Sequence, residues 1–369
     1  MRIERIEAEA IAIPLTRDFG GSTYHVTRRC TVITRVYSED GLVAEVYNGD
    51  NRDSAPHIAR MITEKLAPLV LGEDPFAVER LWQKLFTQTI AAGDRKLLLE
   101  AIACIDCALW DLMGKSLGKP VRDLLGGFCD ELPIISIGGY YVEGKTFADI
   151  GREMQMYRDA GMAGCKFKVG GLAPTEDAKR VAAARKAAGG DFILAVDANR
   201  GWDVEHAIRF AHLVEPLDIR WFEEPCHWYD DAAMMARVRA ATSIPITAGQ
   251  SEITSHGVRR LIDAGAVDLV NYDVSEGGGV TDWRRAAAIC GAAGVKMAHH
   301  EESQISIQLL TAIPHGTYVE CFADPERDPV WQSVWCNRPT AKNGFFTLPE
   351  GSGFGIELDR KLVAKYRSA

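Results

Sequence analysis

The sequence predicts an α/β fold: a parallel (β/α)8-type barrel carrying an N-terminal α+β capping domain. Three observations carry this. From Leu132 onward, short apolar strands alternate with amphipathic helices at intervals of about 25 residues. Before that point strands come first and helices follow, which is the pattern of an α+β unit. Finally, successive predicted strands of the alternating region end in polar or charged residues, and a barrel collects its chemistry at those ends. The chain has 369 residues, 47% of them hydrophobic, enough to bury a large core.

In chain order, Ile3–Ile13 and Thr31–Tyr47 alternate as strands, the second broken by Glu39-Asp40-Gly41 as a hairpin turn. Thr16–Arg29, polar and bearing Gly20-Gly21, reads as a mobile loop. Helical periods follow at Ser54–Leu69, Pro75–Thr87 and Leu97–Lys115. The capping domain is therefore expected over 1–127, with Gly126-Gly127 as its boundary, and the barrel over 128–330. Barrel strands are predicted at Leu132–Tyr140, Gly164–Val169, Phe192–Asp197, Asp218–Glu223, Ile244–Ala248, Asp268–Tyr272, Val295–His299 and Thr317–Cys321. Helices such as Thr175–Ala188, Val204–Val214, Asp231–Ala241, Ser255–Ala264 and Val280–Ala293 lie between them. The glycine-rich segment 331–369 is expected to return to the cap or the barrel rim. A doubly wound sheet is the structural rival, but no Gly-x-Gly-x-x-Gly follows a strand and opens a helix, and Gly277-Gly278-Gly279 lacks phosphate-loop spacing.

A net charge of −9 with no basic block argues against nucleic-acid binding. A charged start and the lack of any run of about 18 apolar residues predict no leader and no membrane span, hence a cytoplasmic protein. Nine scattered cysteines fit free thiols in a reducing compartment. Cys104 and Cys107 fall on a helical period and read as core packing.

The chemistry centres on Lys166-Phe167-Lys168. Residues i and i+2 of a strand share a face, so the two ammonium groups crowd each other. Mutual repulsion and burial would both lower their pKa, and a lysine near neutrality can act as a base. A charged edge strand that discourages aggregation is the alternative. Neighbouring strand ends carry Asp197, Glu223 and an acceptor on the fifth strand, an all-oxygen set suited to Mg2+. The competing reading pairs these carboxylates with the lysines. Asp273 and His300 end adjacent strands, where a carboxylate would fix the imidazole tautomer and raise its basicity. His299 should face the other way.

These residues resemble the mandelate racemase subgroup of the enolase superfamily. The resemblance rests on Lys166-Phe167-Lys168, Asp197-Ala198-Asn199, Phe222-Glu223-Glu224-Pro225, Asp273 with Gly277-Gly278-Gly279-Val280-Thr281, His300 and Glu320. The stretch Ile105-Asp106-Cys107-Ala108-Leu109-Trp110-Asp111 with Leu124-Leu125-Gly126-Gly127 resembles that family's cap helix. The resemblance implies one essential Mg2+ and abstraction of a proton α to a carboxylate, giving an enediolate. It implies Lys168 as the base on one face, with Lys166 lowering its pKa and contacting the substrate carboxylate. His300 with Asp273 would be the acid/base of the opposite face, Glu320 would hydrogen-bond the enediolate, and Asn199 would position substrate. Gln250 stands where the subgroup usually has a Glu metal ligand, and Glu252 is the alternative ligand. The loop side chains Arg17, Tyr24, His25 and Arg29, with Tyr140 and Tyr141, would meet the substrate. Such polar donors suit a polyol acid, so dehydration of a sugar acid to a 2-keto-3-deoxy acid is preferred over racemisation, epimerisation or cycloisomerisation. A catalytically silent family member, because of Gln250, is the alternative of another class; an aldolase with a Schiff-base lysine would leave the carboxylates without a task. The expected partners are a small carboxylate substrate and further copies of the chain.

Overall fold

A computed structural model describes residues 1–50 and 52–368. The cap opens with an antiparallel sheet of β1 (Ile3–Gly20), β2 (His25–Ser38) and β3 (Val43–Asn48), in that order. The turn between β2 and β3 falls at Glu39-Asp40-Gly41, with Gly41 at φ 82°, a conformation that costs glycine nothing.

Thr16–Arg29 is not a mobile loop. β1 runs on to Gly20 and β2 starts at His25, leaving only a tight turn. Phe19 and Val26 explain the difference: both are buried in a small apolar cluster with Ile137, Tyr140 and Phe322 from the barrel. The hairpin tip is further pinned where Tyr141 N–H donates to Gly20 O (2.9 Å) and Ser22 Oγ donates to Ala198 O (2.6 Å). Two isolated apolar residues among polar ones gave no strand period to read.

The helix Arg95–Leu117 runs through the core. The Asp94 side chain caps it by accepting from Leu97 N–H (3.0 Å), and Gly118 at φ 63° ends it. Cys104 and Cys107 are buried free thiols in it. Two of its buried carboxylates tie the helix to its surroundings, Asp106 to the barrel and Asp111 to the cap sheet and the C-terminal segment. Asp106 accepts from Thr281 N–H (2.8 Å) and Oγ1 (2.6 Å), and Asp111 accepts from Glu45 N–H (3.0 Å) and Phe354 N–H (2.8 Å).

The second sheet holds eight parallel strands: β4 (Glu131–Gly138), β5 (Gly164–Lys168), β6 (Ile193–Asp197), β7 (Phe222–Glu223), β8 (Ile246–Ala248), β9 (Leu269–Val270), β10 (Lys296–Met297) and β11 (Val319–Cys321). Each pairs with the next from β4 to β10, β11 lies beside β4, and a parallel bridge from Met297 to Gly316 closes the ring. All five predicted barrel helices are present to within a residue, and Phe147–Asp159 and Ser303–Leu310 supply further crossovers. Several strands are shorter than predicted, β7, β9 and β10 comprising two residues each. Their polar ends leave the ladder, and Glu224 and Glu301, just beyond β7 and β10, take positive φ. After the barrel, β12 (Phe345–Thr347) pairs antiparallel with β4, and the chain returns to the cap, where Ser368 N–H donates to Ala10 O (2.8 Å). Among the described residues no helix is long and apolar enough to cross a membrane.

Candidate active site

The barrel interior is built in layers. A floor of Ile135, Ala195, Trp221, Leu269, Ala298 and Tyr318 closes one end, with Trp221 and Tyr318 stacked at 4.2 Å between centroids. Toward the C-terminal ends, Lys168 is in register with Asp197, and Asp197 with Glu223. Strand alternation thus sets a lysine and two carboxylates side by side on one face. Lys166 lies one step deeper and its Nζ gathers three acids: Glu223 Oε1 at 2.7 Å, Glu320 Oε1 at 2.8 Å and Asp197 Oδ2 at 3.9 Å. Lys168 Nζ donates to Asp197 Oδ2 at 2.7 Å. All five side chains are buried.

The expected lowering of the lysine pKa values does not occur in this arrangement. Burial does oppose both charges, but Glu223, Glu320 and Asp197 around Lys166, and Asp197 near Lys168, outweigh it and hold both ammonium groups well above their usual range. Conversely, burial raises Glu223 to about 8 despite Lys166, whereas the two lysines override burial at Asp197 and hold it at about 2. The ion pairs weighed as the competitor to a metal site are therefore present.

Across the barrel, His300 Nδ1 lies 2.9 Å from Asp273 Oδ2. Its other nitrogen, Nε2, faces Glu301 Oε1 at 3.5 Å. Burial disfavours the imidazolium, but Glu301 and Asp273 overcome it and raise His300 to about 10. Glu320 spans the two faces: one oxygen meets Lys166 and the other accepts from Glu301 N–H at 2.9 Å. His299 is structural. Its Nε2 accepts from Val274 N–H (3.1 Å), so the ring proton is on Nδ1, bonded to His300 O (2.7 Å).

Of the eight described non-glycine residues at positive φ, six sit beyond barrel strand ends: Asn199 (42°), Arg200 (62°), Glu224 (40°), Thr254 (75°), Glu301 (50°) and Glu302 (48°). Such conformations are held at a cost and cluster where side chains are aimed for function. Asn199 donates from Nδ2 to Asp197 Oδ2 (3.2 Å), and its Oδ1 is buried with no hydrogen-bond partner. Glu302, raised to about 8 chiefly by burial, accepts from Gly49 N–H and Ser275 Oγ and so ties the cap to the barrel.

The other predicted substrate contacts divide. Tyr24 comes within reach, its ring centroid 5.6 Å from Lys168 Nζ, and Tyr140 is buried beside it. Arg17 does not, since it sits on the surface, paired with Asp324 (2.8 Å) and Glu326 (3.0 Å). His25 is exposed, turned outward at the start of β2. The Tyr141 hydroxyl is taken by Asp177 (2.8 Å), and the buried Arg29 by Asp50 and Asp328 (both 3.3 Å). Residue type alone had grouped these side chains; strand alternation and local ion pairs separate them. Glu301 and Arg327 were missed. Glu301 had a signal, its place directly after His300, whereas Arg327 lies past the last barrel strand with no motif around it.

Asp197 and Glu223, drawn together around one ammonium, form an oxygen pair suited to a hard divalent cation. Gln250, buried beyond β8, carries a neutral side-chain oxygen that accepts a long contact (3.5 Å) from Asn271 Nδ2. Glu252 does not join them: its Oε1 is bonded to Arg260 at 2.8 Å. Oxygen donors beside the unpartnered side-chain carbonyl of Asn199, which is bonded to Asp197, fit Mg2+ better than a softer metal.

Residues 8–126 match the mandelate racemase / muconate lactonizing enzyme N-terminal domain, and residues 149–362 match the enolase C-terminal domain-like family. The 3,6-anhydro-alpha-L-galactonate cycloisomerase of Streptomyces coelicolor is 30% identical over 97% of both chains. The L-talarate/galactarate dehydratase of Salmonella typhimurium is 29% identical over 87% of this chain and 81% of its own. A mandelate racemase/muconate lactonizing enzyme from a marine actinobacterium, solved in complex with magnesium, is 43% identical over 100% of this chain and 99% of its own, with a TM-score of 0.93. A capped parallel barrel with lysines facing a His–Asp pair, matched along nearly its whole length, places this chain in the mandelate racemase/muconate lactonizing enzyme family of the enolase superfamily.

Proposed function

We propose that this protein is a Mg2+-dependent dehydratase that converts a sugar acid to a 2-keto-3-deoxy acid. Asp197, Glu223 and Gln250 would hold the ion. Bound there, Mg2+ would supply Lewis-acid stabilisation of the substrate carboxylate and would take over the carboxylate charge that otherwise keeps the lysines protonated. Lys168 removes the α-proton. Lys166 contacts the carboxylate and keeps Lys168 poised by repulsion. Glu320, acting as the carboxylic acid, would donate its O–H to the developing enediolate oxygen, and Asn199 orients the substrate. His300, oriented by Asp273, passes a proton to the β-oxygen as its bond to carbon breaks, so that water departs and the enol tautomerises to the keto acid.

The observation that carries this reading is the pair of carboxylates on His300. One sits on each ring nitrogen, which favours the imidazolium and makes His300 an acid at neutral pH. Racemisation would ask the same residue to be a base. Ring opening of a 3,6-anhydro acid is the second reading, favoured by the cycloisomerase relative: its β-oxygen is an ether, and the same acid would protonate it. Incubation with Mg2+ and a panel of sugar acids, assayed for 2-keto-3-deoxy products, tests the proposal. Exchange of the α-proton with solvent deuterium, with no keto acid formed from any member, would refute dehydration.

A further inference from the structure

Arg200, Glu224 and Ser251 meet beside the three side chains proposed above to hold Mg2+, and each comes from a different one of the loops that carry them. Arg200 lies three residues after Asp197, Glu224 directly after Glu223, and Ser251 directly after Gln250. The Ser251 hydroxyl accepts from Arg200 Nη1 and donates to Glu224 Oε1 (3.2 Å). Arg200 Nε closes the ring on Glu224 Oε2 (3.3 Å). Glu224 is buried, and the backbones of Arg200 and Glu224 take φ 62° and 40°. Such conformations persist where the surroundings hold them.

The need for this ring follows from how the ligands are placed. Mg2+ demands near-octahedral oxygens at about 2.0–2.1 Å, so a displaced ligand is soon lost to it. Asp197 and Glu223 end β6 and β7 in register with each other. Backbone bonds continue the pairing past them: Ala198 N–H donates to Glu223 O (3.1 Å) and Arg200 N–H to Glu224 O (2.8 Å). Gln250 lies two residues beyond the end of β8, after Gly249 at φ 139°. On one side its N–H donates to Asn271 Oδ1 (3.2 Å). On the other, Ser251 ties its loop to the loops of Asp197 and Glu223. Gln250 also brings no charge, and an amide dipole attracts a cation over a shorter range than a carboxylate does. Its contribution therefore depends on where it is held.

We propose that Arg200, Glu224 and Ser251 are positioning residues that clamp the Gln250 loop against the loops of Asp197 and Glu223, so that Mg2+ affinity in this chain depends on the Ser251 hydroxyl acting through Gln250. This rests on the assignment of Gln250 as a ligand and deepens it.

Mg2+ calorimetry on the full chain tests the clamp through a double-mutant cycle. Ser251→Ala removes a partly exposed hydroxyl without changing any charge. It should weaken Mg2+ about tenfold, the low end for residues that orient a ligand from behind. Gln250→Ala should weaken Mg2+ by about tenfold or more. In the Gln250→Ala background, Ser251→Ala should weaken it no further, because the side chain through which the clamp acts is gone. A general loosening of the barrel mouth would lower affinity equally in both backgrounds, and that result would overturn the proposal. Wild-type Mg2+ affinity in Ser251→Ala would overturn it as well, while leaving Gln250 a ligand if Gln250→Ala is weakened. Wild-type affinity in Gln250→Ala would refute the ligand assignment and the clamp with it. The dehydratase reading stands or falls separately, on the keto-acid assay.

Discussion

Glu301→Gln isolates what makes His300 an acid. The ring stands between Asp273 Oδ2 and Glu301 Oε1, at 2.9 and 3.5 Å from its two nitrogens. Burial opposes its charge, yet Glu301 and Asp273 together raise it from 6.5 to about 10. Two unit charges 3.5 Å apart interact by roughly 5 kcal/mol at an effective dielectric of about 20. The pair is 14% and 13% exposed, so solvent screening reduces this to about 2–3 kcal/mol. An amide in place of the carboxylate should therefore bring His300 down to about 8. An acid works only while protonated, so activity is held below this pKa and lost as pH rises through it. The basic limb of the kcat profile should move from near pH 10 to near pH 8, with about a tenfold loss at pH 9 relative to the variant's own neutral rate. The assay is initial-rate kinetics from pH 6 to 10.5 on the best sugar acid. A basic limb that stays near 10, or moves upward, would refute the role given to Glu301.

Other perturbations bear on the remaining groups. Lys168→Ala should lower α-proton exchange by about 100-fold or more, while Mg2+ binds more tightly because Asp197 loses its internal partner; exchange in D2O and Mg2+ calorimetry read the two effects separately. Gln250→Glu adds a negative ligand and should tighten Mg2+ about tenfold or more, whereas Glu252→Gln, altering a group tied to Arg260, should leave it unchanged; the reverse order would make Glu252 the ligand. Burial raises Asp106 from 3.8 to about 7 against the hydrogen bonds from Thr281. A raised acid stabilises the fold fully below its unfolded pKa and loses that contribution as pH climbs through the folded one. Urea unfolding should thus show wild-type stability falling between pH 4 and pH 7, with a smaller fall in Asp106→Asn.

Much of the fold was legible because strand and helix periods are local. The hairpin at Glu39-Asp40-Gly41, the barrel helices and the sequence of polar strand ends all followed from spacing within a few residues. The β1–β2 hairpin was not legible. Phe19 and Val26 are the residues buried in the apolar cluster there, and what holds that tip lies more than a hundred residues away, at Ala198 and Tyr141. The lysine pKa direction failed for a related reason. Lys166 and Lys168 are neighbours in sequence, so their repulsion could be read directly, whereas the distances to Glu223, Glu320 and Asp197 depend on strand register.

The sequence by itself determined the family, the capped barrel and the residue types available for proton transfer, since each is written in short motifs at strand ends. Only the tertiary structure decided which of those side chains meet. It withdrew Arg17, Arg29, Tyr141 and Glu252 into other contacts, left His25 exposed, and brought Glu301 onto His300 and Arg327 onto Tyr140. Charge interactions fall off over a few ångströms, and separations on that scale are set by ring closure and register, not by distance along the chain.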